Sequence, residues 1–330
     1  MVRVGINGFG RIGRQVLKAI LERYPDSLEV VAVNDLGDVH TNAHLFKYDT
    51  NYGRFDGTVD YHEGGFIING KEVKSLSFRD PAQLPWGDLG VELVIESTGL
   101  FTTGPKAGVH IEGGAKKVII SAPGKEVDAT FVLGVNHTAY DPKQHHIVSN
   151  ASCTTNCLAP VAKVLHDTFG IEHGLMTTIH SVTMSQRILD GSHKDIRRAR
   201  ACALSMIPTT TGAARAVTKV IPALTGRLDG MSIRVPTPNV SVVDFTCELG
   251  KATDTAGMLA TLKAASGENM GFTEEPLVSV DFLGDTHGGV VDAKASQVLD
   301  GTLCKVLAWY DNEAGFTNQL VRLIKMVAAQ

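Results

Sequence analysis

The sequence predicts an α/β protein of two domains, a doubly wound, mostly parallel sheet followed by an α+β domain with a mostly antiparallel sheet. Three observations lead there. The chain has 330 residues, more than one hydrophobic core usually serves. Up to about residue 120, short apolar runs alternate with amphipathic stretches, the pattern of parallel strands joined by helical crossovers. After about residue 150, strand-like runs outnumber helical ones, which favours an antiparallel sheet.

In order, "VRVGIN" reads as a buried strand and "RIGRQVLKAILERY" as an amphipathic helix. "LEVVAVND" is a strand and "TNAHLFKYD" a helix. "ELVIEST" and "KKVIISAP" are short apolar runs ending in hydroxyl residues. "TTNCLAPVAKVLHDTF" opens the second half as a helix. The strands expected there are "GLMTTIHS", "GMSIRVP", "VSVVDFTCEL", "PLVSVDF", "GGVVDAKAS" and "LCKVLAWYD", with helices at "TTGAARAVTKVI" and "TAGMLATLKAAS". The domains are expected at 1–149 and 150–313. The closing amphipathic helix, about 314–330, is expected to pack back on the first.

Composition bounds the function. The chain is 43% hydrophobic and 20% charged, ordinary for a soluble globular protein. A net charge of -4 gives no electrostatic footprint for nucleic acid or an anionic membrane, and neither partner is expected. No apolar run approaches the length of a membrane span. The N-terminus "MVRVGINGFG" reads as a first strand and not as a signal peptide. Five cysteines form no dense framework, so reduced thiols and a cytoplasmic location are expected.

"GINGFGRIG" places Gly8, Gly10 and Gly13 in G-x-G-x-x-G spacing. Alone the motif is weak. Here it follows an expected strand and opens an expected helix, which identifies a Rossmann-type dinucleotide turn. The helix N-terminus offers backbone N–H groups to a pyrophosphate. Asp35 ends the second strand, where a carboxylate can bind a ribose diol and repel a ribose 2′-phosphate.

"SNASCTTNC" carries Cys153 and Cys157. A tetrahedral metal site needs about four ligands, and no second pair matches, so no metal is expected. A disulfide is improbable in a reducing compartment. Cys157 suits a buried packing role. Cys153 falls between the strand-like "HHIVSN" and a helix, at that helix's N-terminus, where the dipole should depress its pKa. Ser152 and Thr154 place hydroxyls on either side. A nucleophile needs a base, and His180 ends the strand "LMTTIH".

A second constellation suits an anion. "IPTTTGAAR" carries Thr209, Thr210, Thr211 and Gly212 before a helical run. "IRVPTPNVS" brings Arg234 to a strand end, and "HKDIRRARA" offers Arg197, Arg198 and Arg200. Arginine with hydroxyls is phosphate-binding chemistry.

Together "VGINGFGRIGR", "SNASCTTNCLAP", "TTIHS", "HKDIRRAR", "PTTTGAA", "RVPTPNVSVVD" and "WYDNEAGF" resemble the phosphorylating glyceraldehyde-3-phosphate dehydrogenases, over the full length. The resemblance implies conversion of D-glyceraldehyde 3-phosphate, inorganic phosphate and NAD to 1,3-bisphosphoglycerate and NADH, in a homotetramer. It implies Cys153 as nucleophile and His180 as the group that activates it. Arg11, Ile12, Asp35, Arg79, Ser121 and Asn312 match dinucleotide-binding positions. Ser152 and Thr154 flank the nucleophile at the phosphate site. Thr183, Arg198 and Arg234 match ligands of the substrate phosphate, and Thr211 and Gly212 the second anion site. Arg79, Ser121, Thr183 and Asn312 come from the resemblance alone.

Two departures stand out. Gly191-Ser192 occupies a place where many NAD-specific bacterial members carry Leu-Pro and NADP-accepting members a small residue and Ser. Both coenzymes are therefore expected to be accepted, with NAD preferred. Phe316 stands where Tyr is common. Two alternatives are weighed. An erythrose-4-phosphate dehydrogenase would replace "TTTGAA", which is kept. A catalytically silent nucleotide-binding protein would lose Cys153 or His180, and both are kept.

Overall fold

The strand Val2–Asn7 lies inside a nine-stranded sheet, with Leu28–Asn34 on one side and Leu93–Glu96 on the other. Both pairings are parallel. Val4, Ile6, Val33, Val94 and Ile95 have no exposed surface, as a strand covered on both faces requires. The computed structural model describes residues 1–330. By internal contacts the chain forms two units. The first is Met1–Phe131, Thr138–Ala151 and Leu320–Gln330, and the second Val132–His137 and Ser152–Gln319.

In the first unit the sheet continues through Lys117–Ile120, Ile147–Ser149 and Ala129–Thr130, all parallel. The strand order therefore reverses at Val2–Asn7, which has Leu28–Asn34 on one side and Leu93–Glu96 on the other. Beyond Leu28–Asn34 the parallel strand Lys71–Leu76 leads into an antiparallel ribbon of Gly65–Ile68 and Val59–His62. That ribbon is unread in the sequence. Its edge strand buries only Val59, too little apolar content to show a period. The glycine turn opens the helix Arg11–Arg23. Gly8 has φ +94°, and a Cβ there would lie 2.6 Å from the Thr98 nitrogen. Only glycine allows this turn beside the neighbouring strand end.

The second unit holds a seven-stranded sheet in the order Ile207–Thr210, Leu228–Arg234, Ile171–His180, Ser241–Leu249, Leu303–Tyr310, Gly289–Leu299 and Met270–Thr273. Four of its pairings are antiparallel and two parallel. The long helix Cys153–Phe169 packs its buried residues, among them Cys157, Leu158 and Val161, against this sheet.

"PLVSVDF" is a correction. It contains a single helical turn, Ser279–Phe282. The Asp281 carboxylate accepts the Val278 N–H at 2.8 Å and closes the turn. Only Phe282 is buried, stacked on Trp309. Its alternation of apolar residues therefore marks no half-buried strand. Conversely, Ile207–Thr210 is an edge strand that its Pro208 disguises as a loop; proline is confined to such edges. No helix is long and apolar enough to cross a membrane.

Candidate active site and dinucleotide cleft

The first unit carries a cleft of about 270 Å³ at the carboxyl ends of its central strands. It is lined by Gly8, Gly10, Asp35, Arg79, Thr98 and neighbouring residues. Ligands bind at such a switch point of strand order. Gly10 caps the helix Arg11–Arg23 with no side-chain hydrogen bond, and a Cβ there would meet nothing within 4 Å. The backbone N–H groups of Arg11 and Ile12 head that open first turn. The Arg11 side chain is engaged elsewhere, on Asp49 at 2.5 and 3.2 Å. Its contribution to an anion is therefore through the main chain. Gly13 packs so closely on Gly8 that a Cβ would strike the Gly8 carbonyl oxygen.

Asp35 is fixed. Its two carboxylate oxygens accept the N–H groups of Phe9 and Gly37, each at 2.8 Å. Arg79 is exposed at the rim of the same cleft. Ser121 follows the strand Lys117–Ile120 and is not among the lining residues. Its N–H donates to the Glu96 carbonyl at 3.0 Å. The cleft thus fits a dinucleotide: an open helix N-terminus for phosphates, a clamped carboxylate for a ribose, and a turn only glycine permits.

The second unit brings the nucleophile and base together. Cys153 opens the helix Cys153–Phe169, with Ser152 as N-cap accepting the Thr155 N–H at 3.1 Å. The cap occupies one lone pair of the Ser152 hydroxyl and leaves its O–H to donate. Cys153 Sγ lies 3.5 Å from His180 Nε2. His180 Nδ1 lies 2.8 Å from the Ser181 carbonyl. That oxygen can only accept, and Arg234 Nη1 also donates to it at 3.3 Å; with the ring proton on Nδ1, Nε2 is free to take a proton from sulfur.

His180 ends the strand Ile171–His180, and its register partner on the parallel neighbour is Arg234. Arg234 Nη1 approaches His180 Nδ1 at 3.0 Å and Thr183 Oγ1 at 3.4 Å. No carboxylate pairs with Arg234. Burial, and then the Arg234 charge, lower the His180 pKa to about 3. Arg198 lies near enough to lower both His180 and Arg234 further. It is held by Thr209 Oγ1 at 2.9 Å and the Thr210 carbonyl at 3.3 Å. Arg198 is ion-paired with Asp195 at 3.8 Å, which leaves Arg234 as the guanidinium that faces the imidazole with no carboxylate of its own.

The thiol departs from expectation. Burial pushes the Cys153 pKa up, and the Arg234 charge and the Thr154 hydrogen bond offset this only in part. The helix N-terminus is in place, and burial of the half-buried thiol works against it. Thiolate arises by passing the proton to Nε2.

The remaining expected residues fall as follows. Thr211 Oγ1 accepts the Ala213 N–H at 3.2 Å, and Gly212 caps the helix Ala213–Val220 without a side-chain bond. Arg200 is paired with Asp190 on the surface, and Gly191 and Ser192 lie in the exposed loop beside it. Asn312 is buried; its Oδ1 accepts the hydroxyls of Ser181 at 2.7 Å and Ser241 at 2.9 Å. Its amide nitrogen remains as a donor. Phe316 is buried. Cys157 is fully buried, as its packing role requires.

Tyr310 is a residue the sequence reading misses. Its buried hydroxyl bridges Thr154 Oγ1 and Thr178 Oγ1, each at 2.8 Å, and its ring meets His180 edge-on at 6.0 Å. The only available signal is the alternation of "LCKVLAWY", which turns Tyr310 to the same side as Cys304, Val306 and Ala308.

Residues 2–104 match the model of the glyceraldehyde 3-phosphate dehydrogenase NAD binding domain, and residues 152–312 that of the C-terminal domain. The chain belongs to the glyceraldehyde-3-phosphate dehydrogenase family. It is 56% identical to the glyceraldehyde-3-phosphate dehydrogenase of Geobacillus stearothermophilus, over 100% of this chain and 99% of that one. Identity to glyceraldehyde-3-phosphate dehydrogenase 1 of Bacillus cereus is 54%, covering 98% of this chain and 97% of the relative. Glyceraldehyde-3-phosphate dehydrogenase 2 of Trichormus variabilis is 52% identical over 99% of both. The two family models fall on the Rossmann-type unit and on the antiparallel-sheet unit respectively.

Proposed function

We propose that this chain oxidises D-glyceraldehyde 3-phosphate with NAD and inorganic phosphate to 1,3-bisphosphoglycerate. The observation that carries the reading is Cys153 Sγ at 3.5 Å from His180 Nε2, beside an Arg234 that has no carboxylate. Residues 1–149 serve the dinucleotide and residues 150–313 the substrate.

His180 Nε2 takes the thiol proton as sulfur attacks the aldehyde carbon, and returns it to the oxygen to give a thiohemiacetal. It removes that hydroxyl proton again as hydride departs, leaving a thioester on Cys153. NAD, when bound, accepts the hydride. Gly8, Gly10 and the Arg11 and Ile12 amides would hold its pyrophosphate and Asp35 its ribose, with Arg79 and Ser121 in the same unit; the resemblance assigns Asn312 to the coenzyme as well. Arg234, Arg198 and Thr183 hold the substrate phosphate. Thr154, Thr211 and Gly212, with the Ser152 N-cap, frame the incoming phosphate, which attacks the thioester and releases Cys153. The alternatives account for less: a silent binding protein needs no matched thiol and base.

Mixing enzyme, aldehyde and NAD without phosphate is expected to give a burst of NADH no larger than the concentration of Cys153. Phosphate or arsenate should then start steady turnover. Steady turnover in phosphate-free buffer would instead mean a hydrolytic aldehyde dehydrogenase.

The working state is a cytoplasmic homotetramer. In the loop 181–205, Met184, Ile188, Leu189, Ile196 and Leu204 are each more than three-quarters exposed. Apolar exposure on that scale marks an interface, and a neighbouring copy is its occupant. Sedimentation of a fully active monomer at nanomolar concentration would contradict this.

The coenzyme preference follows from Asp35. Turning its carboxylate away from a 2′-phosphate gives up two backbone N–H bonds, about 1.5–3 kcal/mol each to a charged acceptor. The hydroxyl of Ser192 offers at most one such bond in return. NAD should therefore exceed NADP in kcat/KM by tenfold or more, at about 1.4 kcal/mol per tenfold. Asp35→Asn should narrow the gap. Gly191→Leu with Ser192→Pro should remove NADP turnover and spare NAD. Equal use of both coenzymes by the unaltered chain would refute the clamp.

A further inference from the structure

A buried chain of side chains runs beneath the dinucleotide cleft, and the chemistry above does not use it. Asn7, Trp86, Glu96 and His110 are each 1% exposed or less. The Trp86 indole N–H donates to His110 Nδ1 at 3.0 Å. The imidazole proton therefore sits on Nε2, which donates to Glu96 Oε2 at 3.1 Å. From the other side the Phe78 N–H donates to Asn34 Oδ1 at 2.8 Å. Asn34 Nδ2 donates to Asn7 Oδ1 at 2.7 Å, and Asn7 Nδ2 to Glu96 Oε2 at 2.6 Å. The remaining oxygen, Oε1, accepts the Thr98 N–H at 2.9 Å and the Thr98 hydroxyl.

Asn34 Nδ2 also donates to the Phe78 carbonyl at 3.0 Å; every other donor in the chain points toward Glu96. Only a carboxylate that accepts at both oxygens and donates at neither completes the set. The chain ties the ends of three parallel strands, Val2–Asn7, Leu28–Asn34 and Leu93–Glu96, to the segment that carries Arg79. Asn7, Asn34, Phe78 and Thr98 themselves line the cleft.

We propose that Glu96 is a positioning residue for the dinucleotide: it is the acceptor on which both arms of the hydrogen-bond chain end, and so fixes the placement of Asn7 and Thr98 and, through Asn34, the Arg79 segment. The inference rests on the cofactor reading above. Networks of this kind act as a unit, because reversing one member forces its neighbours to reverse or break.

The test is Glu96→Gln in the full-length enzyme. A glutamine NH2 turned either way faces donors, Asn7 and His110 on one side or the Thr98 N–H on the other. Calorimetric titration with NAD should show a dissociation constant raised about tenfold or more, the scale of one lost bond to a charged acceptor. The kcat at saturating NAD should stay within about twofold, since no reacting atom is touched. Trp86→Phe removes only the far donor and keeps an aromatic ring; it should weaken NAD about threefold, one neutral hydrogen bond. It reads the same chain should Glu96→Gln fail to fold. A folded Glu96→Gln enzyme with unchanged NAD affinity, even one of lower melting temperature, overturns the inference and leaves the cofactor reading intact. So does Trp86→Phe with unchanged affinity. An unaltered chain that binds no NAD overturns both.

Discussion

His180→Asn should lower the hydride-transfer step about 100- to 10,000-fold, the usual range for a removed general base. The same change should slow alkylation of Cys153 by iodoacetamide at neutral pH. Both follow from one geometry, the free Nε2 lone pair 3.5 Å from sulfur. Asparagine cannot take the thiol proton. The pH dependence has a definite sign. Burial raises the Cys153 thiol, so in both proteins labelling should climb as pH rises through neutrality into the alkaline range. His180, with a pKa of about 3, stays neutral throughout that range and contributes no step of its own. Stopped-flow NADH formation and time-resolved labelling measure the two effects. Alkylation untouched by His180→Asn would free the histidine of any part in activating the thiol.

Arg234→Ala should raise KM for both aldehyde and phosphate about 10- to 100-fold, the worth of a lost bond between charged partners. KM for NAD should hardly move. A second effect distinguishes Arg234 from an ordinary phosphate ligand. Its charge disfavours imidazolium at His180, so removing it raises the His180 pKa. The protonated, inactive form then persists to higher pH, and the acid limb of kcat should move upward. Steady-state profiles between pH 4 and 9 would show it. An effect confined to NAD would take Arg234 out of the anion site altogether.

Much of this was legible in the chain because the signals are local. Gly8, Gly10 and Gly13 are fixed by spacing, Asp35 by the end of the second strand, and Cys153 and His180 by strand and helix ends. Tyr310 could not be read that way. Its partner Thr154 lies 156 residues away, and no short window shows that one hydroxyl will bridge two threonines. Ser241 is hidden for the same reason, since its bond to Asn312 spans 71 residues. The thiol's pKa failed differently. The helix end correctly placed a favourable dipole, but the desolvation opposing it arises from packing assembled by the whole unit. Among the elements, Ile207–Thr210 was lost to Pro208. The turn at Ser279–Phe282 was over-read because alternation alone does not say whether a neighbouring strand exists.

His180 and Arg234 face each other as register partners on adjacent parallel strands. The segment between them, residues 181–227, leaves the ladder and returns to it. Its length and composition do not enter the distance between imidazole and guanidinium; only the pairing of two strands does. A slip of one residue would turn Arg234 to the opposite face of the sheet. The Arg234 part of the acid–base tuning is therefore inherited with the sheet, whereas Arg198 acts on His180 from within the excursion, beside Gly191 and Ser192. Descendants of this chain can exchange coenzyme at Gly191 and Ser192 while the pairing of His180 with Arg234 stays where the ladder holds it.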